Sequence, residues 1–251
     1  MTTESYDLAV VGAGIVGLAH ALVAARRGLK VVVIDRDTRA NGASVRNFGF
    51  VTVTGQQAGD CWRRAMRSRD IWAEIAEPAG IAVAHRGLAV AVRYEESLPV
   101  LEAFLKTEMG EGCEMLSPAE ARDRVPGLRD DVRAVLWSPH ELRVESRDAI
   151  PQLAGFLEDE YGVTILRETL VRDMALPVIE TTAGPVKADA VVVCPGDDFL
   201  SLYPERIAAY GLTRCKLHMM RIRPETDAEL GTAVMSDLGL VRYLGLYLIH
   251  I

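Results

Sequence analysis

Gly12, Gly14 and Gly17 fall within six residues, and Asp35 follows 18 residues after the last of them. Glycines at that spacing let a backbone turn tightly, approach a pyrophosphate and pack a helix closely on a strand. An acid at that distance accepts hydrogen bonds from a ribose. The chemistry predicted is the holding of a dinucleotide, NAD or FAD, with its phosphates at a helix N-terminus. An acid at position 35 also disfavours a ribose that carries a 2'-phosphate. The plain alternative is a glycine-rich turn in an unrelated α/β protein, and the flanking segments weigh against it.

Those segments must place the glycines between a strand and a helix. Leu8-Ala9-Val10-Val11 is a short apolar run suited to a strand buried on both faces of a parallel sheet. Leu18, Ala19, Leu22 and Val23 follow at helical spacing, and Gly28 just past Arg26-Arg27 supplies a helix stop. Val31-Val32-Val33-Ile34 predicts a second buried strand that ends at Asp35. The stretch from Leu8 to Ala25 lacks formal charge and is long enough to suggest a membrane span. Its acidic flank (Glu4, Asp7) and three glycines instead predict strand, turn and helix.

The whole chain of 251 residues is 49% hydrophobic and 25% charged, which fits a globular protein of one large domain or two joined ones. A formal charge of -7 argues against nucleic acid or an anionic membrane as partner. Cys61, Cys113, Cys194 and Cys215 lie far apart with no CxxC pair, and the five histidines are scattered, so neither a metal site nor a disulfide framework is expected. A reducing, cytoplasmic location fits this cysteine usage.

The run from Asp7 to Asp35 resembles the FAD-binding βαβ unit, and its continuation is similar to the D-amino-acid oxidase and glycine oxidase family of flavoproteins. Asn41-Gly42-Ala43-Ser44-Val45-Arg46-Asn47-Phe48-Gly49 falls where that family runs a polar loop past the pyrophosphate. Ser117-Pro118-Ala119-Glu120 looks like a capped helix start, and with Val125-Pro126-Gly127-Leu128 it resembles the family's short helix and its stop. Thr169-Leu170-Val171 matches the place where the family's valine backbone meets adenine. In Ala190 to Phe199 only Gly196 of the family's alanine, threonine, glycine triplet is kept, and Cys194-Pro195-Gly196-Asp197-Asp198 stands there instead. That turn, with Arg46-Asn47-Phe48-Gly49, resembles an aminophosphonate-linked subgroup. Cys194, ending an apolar strand, reads as a small buried hydrophobe rather than a redox nucleophile.

The resemblance implies an α/β fold: a Rossmann-like FAD-binding domain over residues 1–54 and 145–200, interleaved with an incomplete α+β substrate domain over 55–144 and 201–251. It implies FAD held by Gly12, Gly14, Ile15, Val16, Gly17, Asp35, Arg36, Ser44, Arg46, Asn47, Val171 and Gly196. Helices are expected over Gln56–Ala79 and Ala149–Tyr161. Strands are expected at His85–Tyr94, at Val163–Leu166, in a hairpin turning at Ala183-Gly184-Pro185, at Leu212–Ile222 and within Ser236–Tyr243. The apolar run from Leu244 to Ile251 does not resemble the family's continuation, which implies a C-terminally truncated member with an exposed apolar end and unpaired strand edges.

The function this implies is oxidation of the C–N bond of a small amine, an amino acid or aminophosphonate, by hydride transfer to flavin. Arg242, Tyr243, Lys216 and His218 are the candidates to hold an anionic end of that substrate. An inactive FAD-binding fragment or partner subunit, and an NAD-dependent dehydrogenase, are the alternatives.

Overall fold

The computed structural model describes residues 4–223, 225 and 230–247. In chain order, β1 (Ser5–Val11), α1 (Ile15–Ala25) and β2 (Val31–Ile34) lead into β3 (Phe50–Val51), α2 (Asp60–Ala76) and β4 (Val83–Val92). Then come α3 (Leu98–Leu105), β5 (Glu114–Leu116), α4 (Pro118–Arg124), β6 (Ala134–Val144), α5 (Ser146–Tyr161), β7 (Thr164–Leu166), β8 (Val171–Ala175) and β9 (Val178–Thr181). The remaining elements are β10 (Val186–Val193), α6 (Pro204–Ala208), β11 (Ala233–Ser236), α7 (Leu238–Arg242) and α8 (Leu244–Tyr247). They form two units: one draws on Met1–Asn47, Pro78–Ile81 and Ser146–Met219, the other on Phe48–Glu77, Ala82–Glu145 and Met220–Ile251.

The first unit is built on a six-stranded sheet of order β7-β2-β1-β10-β9-β8. The first four strands are parallel, and β9 and β8 join antiparallel. All four residues of β2 are buried, as expected of a continuous apolar strand covered on both faces. Tyr6, Ala9, Val32, Ile34, Ile179 and Ala188 form one core cluster of this sheet. Helix α1 closes at Gly28, whose φ of +79° favours a residue without Cβ, and Leu29 N–H bonds Ala24 O at 3.2 Å. Helix α5 starts at Ser146, three residues before the predicted Ala149, and carries Pro151 inside it.

In the second unit a sheet of order β11-β4-β6-β3 carries β5 on β6. Alternation along β4 sorts its side chains between two cores. Leu88, Val90 and Val92 pack with Leu101, Phe104 and Leu136, while Ala89 and Ala91 pack with Leu116, Val125 and Val135. The register between β4 and β6 slips so that Arg86 faces Leu142 and Leu88 faces Ser138. Gly87 sits at this bulge with φ +78°, and a Cβ there would lie 2.7 Å from the Trp137 ring. Glu141, within the bulged stretch of β6, is fully buried. Its Oε1 accepts from Val53 N–H at 3.2 Å and Thr54 N–H at 2.6 Å, and its Oε2 has no partner among the described residues.

Two expected strands are absent among the described residues. Residues 212–222 are all exposed and belong to no sheet. Their alternation of apolar and basic residues suits a strand, but a strand forms only where a neighbour takes its N–H and C=O groups. Ser236 closes β11, and Leu238–Arg242 is helical, because Leu240 and Leu246 both turn into the core that holds Phe104. The apolar run that follows is not wholly exposed: Leu246 is fully buried and Gly245 N–H bonds Gly55 O at 3.0 Å. Residues 248–251 lie outside the described residues. No helix among the described residues is long and apolar enough to cross a membrane.

Removing the Glu141 carboxylate strands two buried N–H groups, each costing on the order of 1–3 kcal/mol. Glu141→Ala is therefore expected to lower stability by about 3 kcal/mol in urea unfolding. Glu141→Gln keeps an acceptor oxygen and should lose less than half as much.

Candidate cofactor site

Three residues join β1 to α1, and each nearby glycine answers a separate steric demand. Gly12 has φ +108°, donates its N–H to Ile34 O at 2.8 Å, and would bring a Cβ to 2.3 Å from Cys194 O. Gly17 lies on the helix directly over that turn, where a Cβ would meet Gly12 O at 1.8 Å. Gly14 caps α1 by accepting Leu18 N–H at 2.9 Å, and a Cβ on it would sit 2.8 Å from Ser44 Oγ. The ends of β1, β2 and β10 are thus tied together, with Cys194 N–H bonded to Val11 O at 2.7 Å.

Two side chains from other segments fix the turn. Asp35 accepts Ala13 N–H through Oδ2 at 2.6 Å and Asp37 N–H through Oδ1 at 2.9 Å. Each carboxylate oxygen keeps a second acceptor position. Ser44 Oγ accepts Ile15 N–H at 3.0 Å, and Asn47 holds the Ser44 turn by donating to Ala43 O at 2.9 Å and Ser44 O at 2.8 Å. The helix supplies no acceptor to the N–H groups of Val16 and Gly17, and no acid stands in its first turn. This helix end is therefore open to an anion.

An open cleft with a cavity volume of about 150 Å³ lies over these strand ends. Gly12, Gly14, Asp35–Asp37, the 40–44 loop, Thr169, Leu170, residues 194–198, Ser201 and Leu202 line it. Arg36 Nη1 is paired with Asp198 Oδ2, and Asp198 Oδ1 accepts from Leu200 N–H at 3.0 Å and Ser201 N–H at 3.1 Å. The Ser201 hydroxyl, these backbone donors and Arg36 hold the Asp198 carboxyl far below the usual carboxylate range, against an opposing effect of burial. Cys194 is half-buried on the cleft wall rather than a core residue, and burial pushes its thiol up, away from thiolate reactivity.

Of the residues singled out in the sequence, Gly12, Gly14, Asp35, Arg36, Ser44 and Gly196 line this one cleft. Ile15, Val16 and Gly17 form the helix start beside it. Val171, named for its backbone alone, is buried at the start of β8, and Thr169 and Leu170 just before it line the cleft. Arg46 is exposed and Asn47 spends its amide on the loop, so neither lines the cleft. Lys216 and His218 are exposed residues of the first unit, whereas Arg242 and Tyr243 end α7 in the second. Sequence reasoning missed the Ala13–Asp35 bond and the Arg36–Asp198–Ser201 cluster. The adjacent acids after Gly196 were the available signal for the latter, since an aspartate there caps the turn that follows.

A parallel sheet whose first strand ends in a glycine turn under a helix N-terminus, with an acid closing the second strand, defines a dinucleotide-binding fold. Residues 7–249 match the family described as FAD dependent oxidoreductase (DAO), and the chain belongs to that family. Glycine oxidase of Geobacillus kaustophilus (strain HTA426) is 26% identical over 209 residues, covering 77% of this chain and 55% of that protein. The bifunctional protein ThiO/ThiG of Nostoc sp. (strain PCC 7120 / SAG 25.82 / UTEX 2576) is 26% identical over 239 residues, 89% of this chain and 35% of that one. The chain thus spans about half the length, or less, of these curated relatives. Among solved structures, L-proline dehydrogenase from P. horikoshii superposes with a TM-score of 0.74 at 22% identity, covering 94% of this chain and 65% of that chain. Glycine oxidase from Geobacillus kaustophilus gives 0.66 at 26% identity, covering 84% and 60%.

FAD is the cofactor of this family, and the cradle fits it: each glycine stands where a Cβ would collide, and Asp35 retains acceptor capacity at the cleft. Gly17→Ala drives a Cβ into the Gly12 carbonyl, so a loss of about 3 kcal/mol or more in thermal unfolding is expected. Gly14→Ala meets only the Ser44 hydroxyl and should cost about 1 kcal/mol, near the usual mutational cost.

Proposed function

We propose that this chain carries the FAD-binding cradle of an oxidoreductase acting on the C–N bond of a small amine, an amino acid or an aminophosphonate. The observation that carries the reading is the cleft of the first unit, which the glycine turn, the open end of α1 and the Asp35 carboxylate all border. When bound, the flavin supplies the hydride acceptor for the carbon beside the amine. The chain's own part is to bind and orient. The N–H groups of Val16 and Gly17 would hold the pyrophosphate and Asp35 the ribose, while Ser44 fixes the helix end by accepting Ile15 N–H.

In this reading the first unit is the FAD-binding domain and the second contributes to the substrate domain. Lys216 and His218 of the first unit and, separately, Arg242 and Tyr243 of the second are the side chains proposed for a carboxylate or phosphonate. The similarity to glycine oxidase supports the amine class. The resemblance of Arg46-Asn47-Phe48-Gly49 and of the Cys194–Asp198 turn to the aminophosphonate-linked subgroup supports the narrower choice.

The test is the visible spectrum of the purified chain, followed by anaerobic addition of glycine, sarcosine and 2-aminoethylphosphonate. Flavin bands that bleach with one of the three are expected, with the aminophosphonate the most effective. Flavin bands that none of them bleaches would reduce the reading to cofactor binding without amine oxidation. Absence of flavin after reconstitution would overturn it.

A further inference from the structure

The Cys194-Pro195-Gly196-Asp197-Asp198 turn places two acids side by side on the rim of a site meant for an anionic cofactor, which needs a reason. The two acids face different walls. Asp197 lies against the 40–44 loop, since a Cβ on Gly42 would come within 3.3 Å of its Oδ1. Asp198 is fixed by its own turn through Leu200 and Ser201 N–H and takes the Arg36 guanidinium on its other oxygen. Ser201 Oγ lies 3.4 Å from the same Arg36 nitrogen. The Asp198 side chain is 15% exposed and that of Arg36 49%, so the acid is the anchor and the arginine the arm.

The arm crosses the sheet. Arg36 follows the end of β2 and Asp198 follows β10, and β1 lies between those two strands. The pair therefore joins the segments that leave the sheet on either side of β1, and both residues line the cleft with Gly12. A half-exposed ion pair adds little to folding stability. Its effect is to hold a long, otherwise mobile side chain in one place before a ligand arrives, which lowers the ordering cost of binding. A planar guanidinium one residue beyond the ribose acid suits the face of an adenine or a ribose oxygen.

We propose that Asp198, seated by Ser201, is a cofactor-site residue that positions Arg36 along the adenosine half of the cleft. The assignment rests on the FAD reading above and gives the Asp-Asp turn a role that its position in the chain does not. Asp198 acts through Arg36, so the two should be energetically coupled in binding.

The experiment measures the affinity of FAD, and separately of ADP, for the wild-type chain, Arg36→Ala, Asp198→Asn and the double variant. Flavin fluorescence quenching reads FAD and calorimetry reads ADP. Each single variant is expected to bind both ligands about tenfold more weakly, a modest binding loss of the size set by one charge-assisted contact. The double variant should be no weaker than Arg36→Ala, and added salt should weaken the wild type more than Arg36→Ala. Wild-type affinity in Asp198→Asn, or full additivity in the double variant, overturns the proposal. Should Asp198→Asn fail to fold, Arg36→Ala leaves the turn intact and carries the test, and wild-type affinity there overturns it equally. A wild-type chain that binds neither FAD nor ADP sinks the cofactor reading together with this proposal. Unchanged variants of a binding-competent wild type sink only the proposal.

Discussion

The close approach of Gly12, Gly17 and Cys194 is the constraint on which the first unit depends. Gly12 O sits where the Cβ of any other residue at 17 would fall, and Cys194 O where a Cβ at 12 would fall. Because neither Cβ exists, α1 can lie directly over the end of β1, and β10 can run beside β1 to its last residue. The parallel ladder then continues past the strands, with Cys194 N–H on Val11 O and Gly12 N–H on Ile34 O. Three strand ends are brought level, and the cleft is the space above them. A larger residue at either position would separate the layers that make it.

Asp35, on the wall of the cleft, ties this backbone geometry together. Its carboxylate holds Ala13 N–H, inside the glycine turn, and Asp37 N–H on its own strand exit. The acid that the motif assigns to a ribose is thus also the clasp that keeps the turn in shape. The turn is set by bonds within the chain itself. Asp198 follows the same pattern on the opposite rim: backbone donors orient a carboxylate, and the carboxylate then orients a longer partner.

What the sequence made legible was local. The β1–α1–β2 unit, the Gly28 stop and the hairpin at residues 183–185 are written in spacing alone, and the structure has them within a few residues. So is the capping box, in which Glu120 accepts Ser117 N–H at 2.8 Å. What it hid was partnership across the chain. Residues 212–222 have the alternation of a strand but no neighbouring strand, and alternation carries no information about neighbours. Residues 238–242 are drawn into a helix by a core assembled from distant segments. Arg36 and Asp198 are 162 positions apart, so nothing near either one announces the other.

The second unit shows the same device without a ligand. A bulge opposite Gly87 carries Glu141 into the interior, where one carboxylate oxygen gathers the N–H groups of Val53 and Thr54. Those two residues follow β3 and precede the Gly55 turn, against which Tyr243 and Leu246 pack. A buried carboxylate is a costly way to join two backbone groups. It is effective because it fixes direction as well as distance: the oxygen can satisfy both donors only if residues 53 and 54 present them together. Both units thus use an aspartate or glutamate from one segment to set the backbone of another. In each case the residue that matters most to the loop is remote from it in sequence, and the bond between them is what converts a flexible connection into a defined surface.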